Sequence, residues 1–174
     1  MLAQAGFFQN FQTLPPRFAF ALVPALIAVA ALSASNRVRR FLFVAPESWL
    51  IAYQAYRIPL EAVLWMLFSA KLIPVQMTFE GRNFDIVAAL TAPPVAYFCC
   101  VRQGWPRVIA VLWNVLGFLL VVNVATTGIL SAPTPFRVFM NEPANTFIAD
   151  FPYVWIPAFL VPLALFGHVM SFMQ

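Results

Sequence analysis

Charge is what this chain has least of. Ten basic and six acidic side chains are spread over 174 residues, 9% of the total, where a soluble domain carries about a quarter. With 63% hydrophobic residues, a water-soluble fold would expose far too much apolar surface. Cysteine is nearly missing: Cys99 and Cys100 are the two present, and they are neighbours. Adjacent residues rarely meet ordinary disulfide geometry, so a disulfide framework is excluded, as is a multi-cysteine zinc site. They read as two small apolar residues near a helix end. The one histidine, His168, excludes bis-histidine haem ligation and a histidine metal cluster within one subunit. An interfacial hydrogen bond is the expected role for it. No Gly-x-Ser-x-Gly, His-Glu-x-x-His, glycine-rich phosphate loop or paired intramembrane aspartates occur. The net charge of +4 comes from scattered residues, not a basic stripe, so nucleic acid is not an expected partner. No cofactor and no metal are implied, and no cleavable signal peptide is expected, because residues 1–17 lack a basic start.

What the chain does have is long apolar runs. Crossing a hydrocarbon layer takes about 20 apolar residues as helix, and five runs approach that length. The expected architecture is an all-α transmembrane bundle, one integral membrane domain over 1–174, with spans near 18–35, 48–73, 84–101, 106–130 and 151–172. Pro59 falls inside the second span, Pro93 and Pro94 interrupt the third, and Pro152, Pro157 and Pro162 punctuate the fifth. Phe7, Phe8 and Phe11 suit a short amphipathic turn at the interface. Two loops, 74–83 and 131–150, hold most of the non-helical sequence. A loop as long as the second is functional or packed as a plug.

Five spans put the termini on opposite sides. The cluster Arg37, Arg39 and Arg40 beside the first span marks a cytoplasmic loop that faces anionic lipid. This puts the N-terminus out and the C-terminus in, in the inner membrane of a bacterium. Glu80, Asp85, Glu142 and Asp150 then face outward and Glu47 inward. No internal repeat or inverted symmetry supports a transporter of the repeat-built kind.

Within the second span Gln54, Arg57 and Glu61 are spaced three and four apart and share one helix face, continued by Trp65. With Trp49 at the interface, Arg57 lies about 12 Å deep at ~1.5 Å per residue. Charges at that depth are costly, usually paired and often functional. Pro59 lacks an N–H and frees the carbonyl of Ala55, so Arg57 is expected to bond Glu61 and that carbonyl. The opposing reading is a structural ion pair, or an Arg57 that snorkels. In span four Asn114 and Asn123 fall on opposite faces, and Gly117 permits close approach by a neighbour. Asn114 joins Gln54, Arg57 and Glu61 as a candidate ligand or ion site. Glu80, Arg82, Asp85, Arg137 and Glu142 form a candidate outer surface, against which stands an ordinary solvent-facing ion-pair network. Asn83 or Asp85 can cap the third helix.

Trp49-Leu50-Ile51-Ala52-Tyr53-Gln54-Ala55-Tyr56-Arg57, Asp85-Ile86-Val87-Ala88-Ala89-Leu90-Thr91-Ala92-Pro93, Trp113-Asn114-Val115-Leu116-Gly117 and the closing stretch resemble a family of small bacterial polytopic membrane proteins with no assigned activity. The closing stretch comprises Pro143-Ala144-Asn145-Thr146 and Pro152 through Val161-Pro162-Leu163 to His168 and Ser171. The similarity spans about two-thirds of the chain. Phe84 stands where that pattern often has glycine, so the backbone before Asp85 is expected to differ. The resemblance implies a helical bacterial membrane protein and supplies no substrate.

Three functions follow as expectations. The first is a polar pocket that binds or conducts a small polar or amphiphilic species. The second is a non-catalytic accessory or assembly subunit docked on a larger membrane complex. An intramembrane enzyme comes last, for want of a nucleophile and base. Expected partners are membrane lipids, with another membrane protein or a second copy of the chain.

Overall fold

Pro106 sets the start of the longest helix in the computed structural model, which describes residues 2–174. That helix, α6 (Arg107–Ser131), buries Ala110, Trp113, Asn114, Gly117, Val121 and Val124 at spacings of three and four. It turns Val111, Leu112, Val115, Leu116 and Leu119 outward. All regular structure among the described residues is helical. Preceding α6 are α1 (Ala19–Ala34), α2 (Asn36–Leu42), α3 (Glu47–Ala52), α4 (Arg57–Ser69) and α5 (Asp85–Val95). After it comes α7 (Val161–Phe172). α7 packs against α1, α3 and α6, while α5 packs against α4 and α6. Among the described residues only α6 is by itself long and apolar enough to cross a membrane; α1 and α2 would do so together but meet at an angle of 74°.

Proline departs from the expectation at Pro93 and Pro94. Pro59 lies inside the second run, as expected. A 3-10 turn at Tyr53–Tyr56 restarts the helix at Arg57, so the missing N–H falls in a first helical turn, where it has no intrahelical partner to lose. Pro93 and Pro94 do not interrupt α5; the helix runs through them and widens into a π turn at Ala96–Val101. A second π turn, Ile156–Leu160, contains Pro157 and leads into α7. Such turns absorb a helix whose hydrogen-bond ladder has been disturbed. The fifth helical run therefore begins at Ile156, not near 151.

The two ends of the bundle are distinct. At one end Glu47 and Arg107 approach to 3.7 Å, and the Gln174 side chain donates to the carbonyls of Leu42 and Ala45. At the other, loops 74–83 and 131–150 meet the N-terminal segment. Gln9 donates to Asp150 and Gln12 to the Pro133 carbonyl. Phe8 and Phe11 are buried there with Ile73, Phe147 and Ile148, a correction to the expected interfacial turn. Asn145, wholly buried, ties loop 131–150 to α6: its N–H donates to the Ser131 carbonyl and its amide to that of Gly128.

Candidate functional site

Gln54, Arg57, Glu61 and Leu64 form one buried stripe on the second helical run. Trp65 leaves this stripe. It is 41% exposed, and its indole N–H donates to Glu80 Oε1 at 2.6 Å.

Arg57 does not pair with Glu61 as the spacing suggests. Its Nη1 lies 3.4 Å from Asp85 Oδ2, and its side chain makes no bond to the Ala55 carbonyl. The reason is the packing of α5 against α4 and the Tyr53–Tyr56 turn, which delivers Asp85 to the guanidinium from a neighbouring helix. Glu61 is engaged elsewhere: Asn83 Nδ2 reaches Oε1 at 2.8 Å and Oε2 at 2.9 Å, and also donates to the Met77 carbonyl. Asn83 Oδ1 accepts the Asp85 backbone N–H, so one fully buried amide, a residue ahead of the Phe84 N-cap, satisfies the first N–H of α5 and orients the Glu61 carboxylate. Asn83 was legible in the sequence as a cap but not as a ligand of Glu61.

Asp85 therefore sits inside the bundle, 5% exposed, and does not belong to an outer surface. Of the other outer candidates, Arg82, Arg137 and Glu142 gather around Phe139, and Glu80 turns instead to Trp65. Arg82 stacks over the Phe139 ring, Glu80 holds Trp65, and Arg137 pairs with Glu142 at 3.1 Å while donating to the Phe139 and Asn141 carbonyls.

Asn114 belongs to a second buried polar group. Its Nδ2 donates to Ser171, and its Oδ1 faces His168 Nδ1 at 3.0 Å. Gln54 reaches the same helix through the Ala164 carbonyl. His168 is thus wholly buried, not interfacial, and its ring packs against Gly117, where any Cβ would overlap it. Asn123, on the opposite face of α6, donates to the Arg82 carbonyl. His168 and Ser171 were hidden as site residues because their partner is on another helix.

A cavity of about 60 Å³ opens beside Glu61. Glu61, Asn83 and Asp85 form its polar floor, while Leu60, Leu64, Val124 and Phe147 are among its apolar walls. A volume of that order admits a small headgroup or a few waters. Among the described residues Asp85 Oδ1 has no hydrogen-bond partner. No nucleophile–base pair faces this space. Among the described residues no cluster of three metal-ligating side chains occurs.

Residues 13–174 match the family described as a domain of unknown function (DUF8737), and the chain belongs to that family. No curated protein and no solved structure matches the chain.

Proposed function

We propose that this chain is a five-span integral membrane protein of the bacterial inner membrane that binds a small amphiphilic molecule in the cavity over Glu61. The observation that carries the reading is a polar floor of Glu61, Asn83 and Asp85 beneath apolar walls, inside a body whose polarity is inverted. Gln54, Arg57, Asn83, Asn114, Asn145 and His168 are buried, while Val111, Leu112, Leu119 and Phe159 lie on the surface. In water that arrangement strands apolar area outside and costs desolvation inside; in a bilayer the outer face meets lipid, and the buried polar groups mark a site. The two shorter apolar runs, Asp85–Val101 and Ile156–Phe172, reach about 26 Å at ~1.5 Å per residue, close to a ~30 Å hydrocarbon core. The 74° turn into α2 supports an interfacial position for Arg37, Arg39 and Arg40; by the excess of basic residues on the cytoplasmic side this reading takes that interface as the inner one, with the N-terminus outside and the C-terminus inside.

Native mass spectrometry of the protein, gently extracted from its host, tests this. A small molecule that is carried by the wild type and lost when Leu64→Trp fills the cavity supports the pocket. A bare chain overturns it, and co-purifying polypeptides with an empty pocket would favour the accessory-subunit reading.

A further inference from the structure

The polar atoms around the cavity differ in what they can still offer. Asn83 is used up as a donor: its amide serves both oxygens of Glu61 and the Met77 carbonyl. Its own oxygen accepts the Asp85 N–H. Glu61 accepts from Asn83 alone, one bond per oxygen, and an ionised carboxylate has room for about four. Asp85 turns Oδ2 to Arg57 at 3.4 Å and leaves Oδ1 buried and unpartnered. Arg57 keeps Nε, Nη1 and Nη2 without hydrogen-bond partners among the described residues, but it stands behind Asp85 and does not line the cavity. With both carboxyls ionised, the side chains of the floor therefore offer acceptors and no free donor. Two carboxylates stand against one guanidinium, so with both ionised the site carries one uncompensated negative charge. A buried charge without a partner is expensive, and a bound monocation would supply one.

Resting on the pocket reading above, we infer that the ligand's head is cationic and donates hydrogen bonds: a primary ammonium on an alkyl chain, held by Asp85 Oδ1 and the Glu61 carboxylate with its chain along Leu64 and Val124. An ammonium is a compact charge with three donors, which matches two acceptors in a small space. A carboxylate or phosphate head would meet like charge and find no donor. The same chemistry is carried by a free alkylamine and by an ethanolamine lipid headgroup.

The test uses the full chain in nanodiscs of neutral choline lipid, with octylammonium, octanol and octanoate as probes at pH 7. Binding is read by native mass spectrometry and as a rise in unfolding temperature. Leu64→Trp, at a buried position, and Ala125→Phe, at a half-buried one, both at the cavity wall, subtract partition into lipid. Octylammonium should bind about tenfold or more tightly than octanol, the scale of one charge-assisted contact, and octanoate should not bind. Glu61→Gln and Asp85→Asn should each bring octylammonium down towards octanol; Glu61→Gln keeps the test alive should Asp85→Asn fail to fold. Competition by ethanolamine lipid would assign the head to the bilayer, and its absence would assign it to a free amine. Equal binding of all three probes, abolished by the wall variants, would overturn the cationic head and leave the pocket standing. Octanoate binding best would overturn it equally, and no cavity-dependent binding by any probe would overturn both readings.

Discussion

Replacing Arg57 by methionine removes the cation opposite Asp85 while keeping most of the side chain's length. Arg57 is 1% exposed and Asp85 5%, so neither can turn to solvent. At the 3.4 Å separation of Nη1 and Oδ2, Coulomb attraction with an effective dielectric constant near 20 is about 5 kcal/mol, an upper bound on what the pair contributes. Breaking a buried pair from one side costs about 3–5 kcal/mol, because the remaining charge is stranded. Arg57→Met should therefore destabilise the chain by about that amount, measured by reversible unfolding in mixed micelles. Removing both partners is a different matter, since apolar replacement of a whole ion pair is often close to neutral. Arg57→Met with Asp85→Leu should recover about 2–3 kcal/mol of the loss, the upper end of coupling between contacting residues. The same cycle with Glu61→Gln should recover less than about 1 kcal/mol, because Asn83, not Arg57, holds that carboxylate. A larger coupling to Glu61 than to Asp85 would refute the assignment of partners.

Gly117→Ala should destabilise by about 1–3 kcal/mol, the range for overpacking a full core, and His168→Ala added to it should relieve part of that loss in the same unfolding assay. Tyr53→Phe should cost about 1 kcal/mol for its 2.8 Å hydrogen bond to the Leu163 carbonyl. Gly167→Ala should cost more, because its new methyl would overlap the Tyr53 hydroxyl; equal losses would show that the two groups are not packed as described. Cys99 and Cys100, half-buried in the cleft with Glu47 and Arg107, should react with a membrane-impermeant maleimide only in inverted vesicles. In a cysteine-free background, Ser35→Cys and Gln103→Cys should do the same, and labelling of either from outside would reverse the orientation.

The polar face of the second run was readable because Gln54, Arg57 and Glu61 repeat at helical spacing, and helix periodicity is local. Which group each of them meets was not. Asp85 is 28 positions beyond Arg57 in the chain numbering, and an i,i+4 partner lay nearer to hand, so spacing pointed to Glu61. Asn83 shows the same limit: as a cap it is a local signal, whereas its grip on Glu61 depends on how loop 74–83 folds back over α4. The π turns were also hidden, because proline announces a disturbed ladder without saying whether the helix will break or widen.

Asn145 has a consequence for exchange. By fastening loop 131–150 to α6, it fixes Phe147 and Ile148 over the cavity, and the buried Phe8 and Phe11 close the same end. The proposed ligand then reaches its place sideways, through a seam between helices, having first dissolved in the bilayer. Its occupancy would follow its mole fraction among the lipids, so adding lipid at constant total ligand should empty the cavity as surely as washing does, whereas adding lipid at constant aqueous ligand should leave it filled.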